Sequence, residues 1–240
     1  MKQVMTMPMV SRAIDEALAT DNAARVLRDL ETPPVIDRMS ASGRCYRDRW
    51  ATFKGLPLDP GKGFEPNVLK IFRLGHIIED EVVSLLEDAG LFIYDQQREV
   101  GKDDWLGHID GLVRLDGREY LLEIKSANKN RFEELLEFGY EVWNPGYSAQ
   151  LHAYMAHLPG IEEAMAVVYC KDDSRVHVER ILLDVDIARR LEAEHQLAVS
   201  GGSMPPKKPK SATSQSCKFC RWCDRNQWCW SAATEVEFDD

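Results

Sequence analysis

The sequence predicts an α/β domain in which a mixed β-sheet is flanked by helices. Two observations support this fold class. Apolar residues recur with helical spacing up to Gly90, and after it the spacing becomes that of strands. Helical and strand segments then follow one another along the rest of the chain. With 240 residues, the chain can bury one substantial core without disulfides.

The helices are predicted from apolar spacing and from residues that stop a helix. Pro33 and Pro34 end the first helical pattern, and Gly90 ends the longest one. Helices are therefore predicted at residues 11–30, 40–53, 66–89, 130–138, 145–157 and 185–199.

The strands are predicted from period-two patterns and turn residues. Asp116-Gly117 favours a two-residue hairpin, because both central positions can take positive φ. Strands are predicted at residues 91–100, 107–115, 119–126, 164–170 and 176–183.

The predicted hairpin carries charged residues in otherwise apolar strands. Counting outward from the turn, Asp110 lies opposite Glu123, and two like charges about 5 Å apart destabilise a sheet unless a cation lies between them. Lys125 projects from the same face as Glu123, because side chains alternate along a strand. Two carboxylates can hold Mg²⁺ or Mn²⁺ for phosphodiester hydrolysis. A neighbouring ammonium can orient the attacking water or stabilise charge that builds on the phosphate. The alternative is an ordinary exposed ion pair on a surface hairpin.

Helical residues could complete this site. Glu79 interrupts an apolar helical stripe, although it could also lie at the edge of the stripe in solvent. Gln150 and Tyr154 are one helical turn apart and could hold water or a DNA phosphate, although Tyr154 could simply pack in the core.

Three further residues are more typical of structural roles. His76 and His108 are each interpreted as structural histidines, with metal ligation as the alternative. Cys170 lies in an apolar strand and is predicted to be a buried core residue.

Composition limits the classes of function. The formal net charge of −10 argues against a protein that grips nucleic acid over its whole surface, so any such contact should be local. No run of about 18 apolar residues appears, and residues 1–10 lack the apolar stretch of a signal peptide. The sequence therefore predicts a cytoplasmic protein without a membrane segment. In that reducing compartment, its six cysteines are more typical of ligands than of disulfides.

Four of the cysteines lie close together near the C-terminus. Their short spacing lets adjacent thiolates reach one centre, which predicts a metal or cluster site. All four could form a structural zinc site, or three of them could combine with the distant Cys45 in a [4Fe-4S] cluster. The four are Cys217, Cys220, Cys223 and Cys229.

Taken as an ordered set, these motifs resemble the RecB-type branch of the PD-(D/E)xK nuclease superfamily, and within it the iron-sulfur exonucleases. That group includes the CRISPR-adaptation nuclease, the AddB nuclease domain and viral recombination nucleases. The resemblance covers residues from about 40 to 229 and implies a restriction-endonuclease-like core with a C-terminal cysteine segment. The implied domains are a helical extension (1–39), a nuclease core (40–200), a linker (201–215), a cysteine segment closing on Cys45 (216–230) and an acidic tail (231–240).

The resemblance also implies roles for individual residues. Asp110, Glu123 and the backbone carbonyl of Ile124 would bind the metal ion, and Lys125 would be catalytic. Gln150 and Tyr154 would organise the site and contact DNA. The implied cluster ligands are Cys45, Cys220, Cys223 and Cys229.

The sequence departs from the family pattern at two positions. Many members have His where this chain has Glu79, which should still serve the metal. Cys217 is additional and could replace one of the four cluster ligands.

The resulting prediction is a Mg²⁺- or Mn²⁺-dependent DNA exonuclease with an iron-sulfur cluster. Its substrate would be DNA with free, single-stranded ends, in recombination, repair or CRISPR spacer processing. A protein partner from one of these pathways and an oligomeric state are left open. The alternatives are a zinc-stabilised nucleic-acid-binding module without catalysis and an endonuclease of the same fold.

Overall fold

The computed structural model describes residues 11–20, 22, 37–63, 65–205, 220 and 223–231. Residues 11–20 form helix α1. The other helices are α2 (Tyr46–Phe53), α3 (Pro66–Asp88), α4 (Lys129–Phe138), α5 (Tyr140–Trp143), α6 (Pro145–Ala156), α7 (Val185–Val199) and α8 (Asn226–Trp230), with a 3-10 turn at Met39–Ala41. The strands are β1 (Asp37–Arg38), β2 (Phe92–Tyr94), β3 (Glu99–Lys102), β4 (Trp105–His108), β5 (Gly111–Leu115), β6 (Arg118–Ala127), β7 (Glu163–Cys170) and β8 (Val176–Leu182).

These strands form two sheets. The larger has the order β2-β5-β6-β7-β8, in which β6 and β7 are parallel and the other neighbours antiparallel. The smaller has the order β1-β4-β3. The parallel pair is joined by a crossover that contains α4, α5 and α6. A mixed sheet flanked by helices is the predicted fold class.

Helices cover both faces of the larger sheet, so β6 is buried on both sides. On one face, α3 packs Ile78 and Val82 against Leu122. The opposite face carries Leu121 and joins the larger core, which includes residues of α4, α5 and α6. Because Glu123 is two residues from Leu121, its side chain points into that larger core.

Two predicted strands are wrong in extent. The expected strand at 91–100 is two strands in different sheets, because Asp95 and Gln97 adopt positive φ values of 52° and 54° and turn the chain between them. The expected strand at 107–115 also divides, into β4 and β5, since the chain passes from one sheet to the other at Ile109 and Asp110.

The predicted helices agree more closely with the structure, except that the one predicted at 40–53 begins only at Tyr46, after the 3-10 turn at Met39–Ala41. The longest was predicted at 66–89 and is Pro66–Asp88, with Pro66 in its first turn and Gly90 at a φ of 86° just after it. Sequence patterns missed the short α5, α8 and β1. In the described part of the chain, no helix is long and apolar enough to cross a membrane.

Several predicted segments lie outside the described residues. They are most of the second half of the leading helix, most of the linker at 201–215, Cys217, and all but the first residue of the acidic tail at 231–240.

Candidate active site

The β5–β6 hairpin positions the two central carboxylates. Asp116 and Gly117 have φ values of 51° and 75°, so both turn positions are left-handed as the dipeptide predicts. In the antiparallel pairing of the two strands, Gly111 of β5 lies opposite Leu122 of β6. Asp110 lies one residue before β5, and its Oδ2 accepts a 2.6 Å hydrogen bond from the backbone N–H of Ile124. The turn therefore brings Asp110 beside β6.

Glu123 is fully buried, with 0% of its surface exposed. Its Oε1 accepts hydrogen bonds from Lys125 Nζ and, at 2.9 Å, from Gln150 Nε2. Its Oε2 is buried and has no hydrogen-bond partner among the described residues. Burial raises the pKa of Glu123 to about 8, against the attraction of Lys125. One oxygen of this carboxylate is thus held in place while the other stays available.

Lys125 is partly exposed, with 20% of its side chain open to solvent, whereas the Glu123 carboxylate that it contacts is fully buried. Burial lowers its pKa, but the charges of Glu123 and Asp110 outweigh burial and raise the pKa above the ordinary value. Its Nζ lies 5.2 Å from the centroid of the Tyr147 ring, a cation–π contact. The ammonium is therefore kept charged at the edge of the site.

Helix α6 brings Gln150 and Tyr154 to the same place. Asn144 caps the helix by accepting hydrogen bonds from the N–H groups of Gly146 and Tyr147. Gln150 Nε2 donates to Tyr154 Oη at 3.2 Å as well as to Glu123. A Cβ at position 107 would lie 2.5 Å from the Tyr154 ring, so glycine there permits the close approach.

Glu79 approaches the site from α3 but contacts none of these side chains directly. Its carboxylate accepts a hydrogen bond from Gln97 Nε2 and lies 3.8 Å from His76 Nδ1. Burial, followed by the charge of Asp110, raises the pKa of Glu79. Glu79 is therefore close enough to Asp110 for their charges to repel.

The oxygen atoms in this site suit a hard divalent cation. In the part of the chain that the structure describes, no three Asp, Glu, His or Cys side chains meet as a ready metal site. Mg²⁺ normally retains several waters and uses only one or two protein carboxylates. Asp110 and the unpartnered Oε2 of Glu123 supply that number, and the Ile124 carbonyl is adjacent in sequence. The residues present therefore fit Mg²⁺ or Mn²⁺.

Three residues weighed from the sequence, His76, His108 and Cys170, lie at the surface or in the core. His76 is 81% exposed at its side chain and contacts only Glu79 among charged groups in the described residues. His108 is exposed and lies 3.8 Å from Glu99. Cys170 is fully buried in the larger core, which confirms that prediction.

Three residues near the site were not identified from sequence. Tyr147 is three residues before Gln150, so helical spacing could have indicated it. Gln97 reaches Glu79 from a turn, and Tyr140 approaches Glu123 from the short α5. Neither has a local sequence pattern that indicates its place.

Four cysteines line one cavity that shares no lining residue with the carboxylate site. Asp48 and Asp59 help hold the C-terminal segment there: Arg225 Nη1 donates to Asp48 at 3.1 Å, and the Asp59 carboxylate accepts from two N–H groups at the start of α8. None of the described cysteines is in a disulfide. Those lining the cavity are Cys45, Cys220, Cys223 and Cys229.

The four cysteines that line this cavity are half-buried. Burial raises the pKa of Cys223 to about 12, and Asp48 adds to the shift. A thiolate at such a place needs a cation to neutralise it, and thiolates are the soft ligands that zinc and iron-sulfur clusters prefer. Among the described residues the four thiols line one cavity without already meeting at a single metal position. The donor set therefore fits either group.

Comparison with known proteins supports the fold. No protein-family profile matches this sequence, and no curated protein matches it significantly. The alkaline exonuclease LHK-Exo from Laribacter hongkongensis superposes with a TM-score of 0.51 at 16% identity, over 71% of this chain and 89% of that one. The protein SSO0001 superposes with a TM-score of 0.50 at 16% identity, over 95% and 98% of the two chains. The chain therefore has a mixed α/β fold of the kind found in nucleases, as the sequence predicts.

Proposed function

We propose that this protein is a Mg²⁺- or Mn²⁺-dependent DNA exonuclease of the PD-(D/E)xK type. The observation that carries this proposal is the buried Glu123, with one oxygen held by Lys125 and Gln150 and the other unpartnered. A protein does not normally bury an unpaired carboxylate oxygen, because losing its hydration is costly. A divalent cation would compensate that cost, and the fold is one that nucleases use.

The side chains divide the work of phosphodiester hydrolysis. When bound, the divalent ion would polarise the scissile phosphate and make water a better nucleophile. Asp110 and Glu123 hold the ion, and Gln150 keeps the Glu123 carboxylate from rotating. Lys125 stays charged and stabilises the negative charge that develops on the phosphate. Tyr154 fixes the Gln150 amide, and Glu79 completes the acidic patch from the other side.

Between exonuclease and endonuclease activity, we propose an exonuclease that acts on DNA ends. The fold neighbour LHK-Exo is an alkaline exonuclease. A protein with a net charge of −10 should hold DNA over a short stretch rather than along an extended surface. We propose single-stranded ends as the substrate, in recombination, repair or CRISPR spacer processing with a protein partner from that pathway. An endonuclease of the same fold would cut circular DNA, which has no ends.

Asp110→Asn is expected to lower the rate of nucleotide release at least about 100-fold, because an amide binds a divalent ion far more weakly than a carboxylate. Nucleotide release should be measured on end-labelled single-stranded DNA with Mn²⁺, beside circular DNA of the same sequence. Asp116→Asn is the matched control, since it makes the same change in the exposed turn of the same hairpin. Equal rates for wild type and Asp110→Asn would refute the assignment, and cutting of the circle would indicate an endonuclease.

We further propose that the four cysteines hold a [4Fe-4S] cluster, as in the iron-sulfur exonucleases. What supports this is that Cys45 lines the same cavity as three cysteines of the C-terminal segment, although it lies far from them in sequence. A centre shared between these segments would hold the chain ends together. Zinc on the same thiolates, with no catalysis elsewhere, remains the competing proposal.

Cys45→Ala is expected to remove the cluster, and with it the visible absorption and the bound iron of anaerobically purified protein. The melting temperature should fall by several degrees, because the link between the two segments is lost. Cys170→Ala is the matched control: this cysteine is buried but lies outside the cavity, so colour should be retained. A colourless wild-type protein containing zinc would contradict the cluster.

A further inference from the structure

The short helix α5 holds Tyr140 firmly at its first position. Gly139 has a φ of 75°, a left-handed conformation that glycine adopts without strain, and it turns the chain from α4 into α5. The backbone N–H of Tyr140 then donates to both carboxylate oxygens of Glu179 on β8, at 3.1 and 3.0 Å. The start of the helix is therefore fixed to the sheet.

The other end of α5 is fixed as well. Arg131 Nη2 donates to the carbonyl oxygen of Trp143 at 2.8 Å, and the guanidinium lies 5.3 Å from the centroid of the Trp143 ring. The Tyr140 and Trp143 rings also pack together, with centroids 5.8 Å apart. A four-residue helix anchored at both ends leaves the Tyr140 side chain little freedom.

The Tyr140 hydroxyl is a buried polar group that the fold does not satisfy. The residue is 0% exposed, and its hydroxyl has no hydrogen-bond partner among the described residues. Leaving such a group unpaired destabilises the folded state. Burial, followed by the charge of Glu123, raises the pKa of Tyr140 well above its ordinary value, so the phenol stays protonated and remains a donor.

Tyr140 and Glu123 thus present complementary unpaired atoms within one core. Glu123 Oε2 is an acceptor without a donor, and the Tyr140 hydroxyl is a donor without an acceptor. Glu123, Ala166 and Glu179 are register partners across β6, β7 and β8, so their side chains lie in one row on the same face of the sheet, and Glu179 at the end of that row binds the Tyr140 N–H. A water molecule that accepts from the phenol and donates to the carboxylate would link the two groups.

We propose that Tyr140 is a positioning residue of this site, whose hydroxyl holds the Glu123 carboxylate through bound water. This inference rests on the proposed metal-dependent function and adds a residue to it. Gln150 and Lys125 fix one oxygen of Glu123, and Tyr140 orients the other toward the metal ion. Residues that orient a metal ligand in this way change metal affinity or activity about 10- to 100-fold when they are removed.

Tyr140→Phe separates a positioning role from a packing role, because it removes only the hydroxyl. We expect kcat on single-stranded DNA to fall about tenfold, with KM for DNA unchanged, and Mn²⁺ affinity without DNA to fall by a similar factor. A hydroxyl that only fills space would leave kcat and Mn²⁺ affinity unchanged, which would overturn the inference.

The control for this experiment is Tyr169→Phe, the same change on the opposite face of the sheet, where the hydroxyl contacts Ser174. It should leave kcat and Mn²⁺ affinity at the wild-type values. If wild type cleaves DNA and Asp110→Asn does not, unchanged kcat and Mn²⁺ affinity in Tyr140→Phe refute the inference alone. If wild type cleaves no DNA, the proposed function fails, while weaker Mn²⁺ binding by Tyr140→Phe would still support the positioning role.

Discussion

Glu123→Gln is expected to lower the hydrolysis rate at least about 100-fold, because the amide keeps the shape of the carboxylate but not its affinity for a divalent ion. Initial rates on end-labelled DNA with saturating Mn²⁺ would measure the loss. Glu119→Gln is the matched control, since it makes the same change on the same strand at an exposed position. A variant that retained most of the wild-type rate would show that Glu123 is not a metal ligand.

The same substitution should change stability in a pH-dependent way. The pKa of Glu123, about 8 in the folded protein, exceeds its ordinary value of 4.5, so the folded state binds this proton more tightly than the unfolded state. In metal-free buffer, this contribution to wild-type stability is fully present below about pH 4.5 and is lost as the pH rises through about 8. The stability of Glu123→Gln should not fall in this way as the pH rises, because glutamine does not titrate.

Urea denaturation without metal, at pH 5 and at pH 9, would test this expectation. The two proteins should have similar unfolding free energies at pH 5, and the variant should be more stable at pH 9 by about 2–4 kcal/mol. Adding Mn²⁺ at pH 9 should stabilise wild type and not the variant. A variant less stable than wild type at both pH values would show that the buried carboxylate supports the fold instead of destabilising it.

The largest effect on stability is expected at a buried ionic network outside the site. Arg49 donates to both carboxylate oxygens of Asp37, and His195 Nδ1 lies 2.8 Å from Asp37 Oδ2. The other imidazole nitrogen, Nε2, lies 3.0 Å from Asp104 Oδ1. The imidazole ring stacks on Trp105, with ring centroids 4.7 Å apart. The network joins β1, α2, α7 and the β3–β4 turn.

Asp37→Asn should destabilise the protein by about 3–5 kcal/mol, because it leaves the buried Arg49 without its charge partner. In a chain of this length that corresponds to a fall in melting temperature of roughly 10 °C. Asp186→Asn is the matched control: its ion pair with Arg189 is exposed, so its loss should cost no more than about 0.5 kcal/mol. Similar melting temperatures for the two variants would contradict the importance of the network.

The network should also affect stability in acid. Burial would raise the pKa of Asp37, but hydrogen bonds from His195 and Arg49 outweigh burial and lower it. A lowered folded-state pKa contributes stability that is present above the ordinary pKa of 3.8 and is lost as the pH falls through the folded value. The stability difference between wild type and Asp37→Asn should therefore shrink below about pH 4.

Sequence patterns predicted the hairpin well because short-range rules determine it. The conformation of Asp116-Gly117 sets the register, and the register places Asp110 beside β6. Alternation along β6 then places Lys125 on the same face as Glu123. Each step depends on neighbours a few residues apart.

Other features depend on contacts that no local pattern records. The Asp37 network joins residues 12 and 158 positions apart in sequence. The division of the predicted strand at 91–100 follows from a turn with two non-glycine residues at positive φ, which is rare and has no strong sequence signal. Tyr140 is placed over the sheet face that carries Glu123 by a four-residue helix that Glu179 and Arg131 anchor.

By itself, the sequence determined which chemical groups this protein could bring together: a Glu and a Lys two residues apart on one strand, an Asp across a defined turn, and a group of thiols. Periodicity and turn chemistry act locally, so they can be followed along the chain. The tertiary structure alone decided which oxygen of Glu123 stays free, how Glu79 approaches Asp110, and that Tyr140 lies behind the site. Those outcomes depend on burial and on long-range packing, which are defined only when distant segments meet in the folded core.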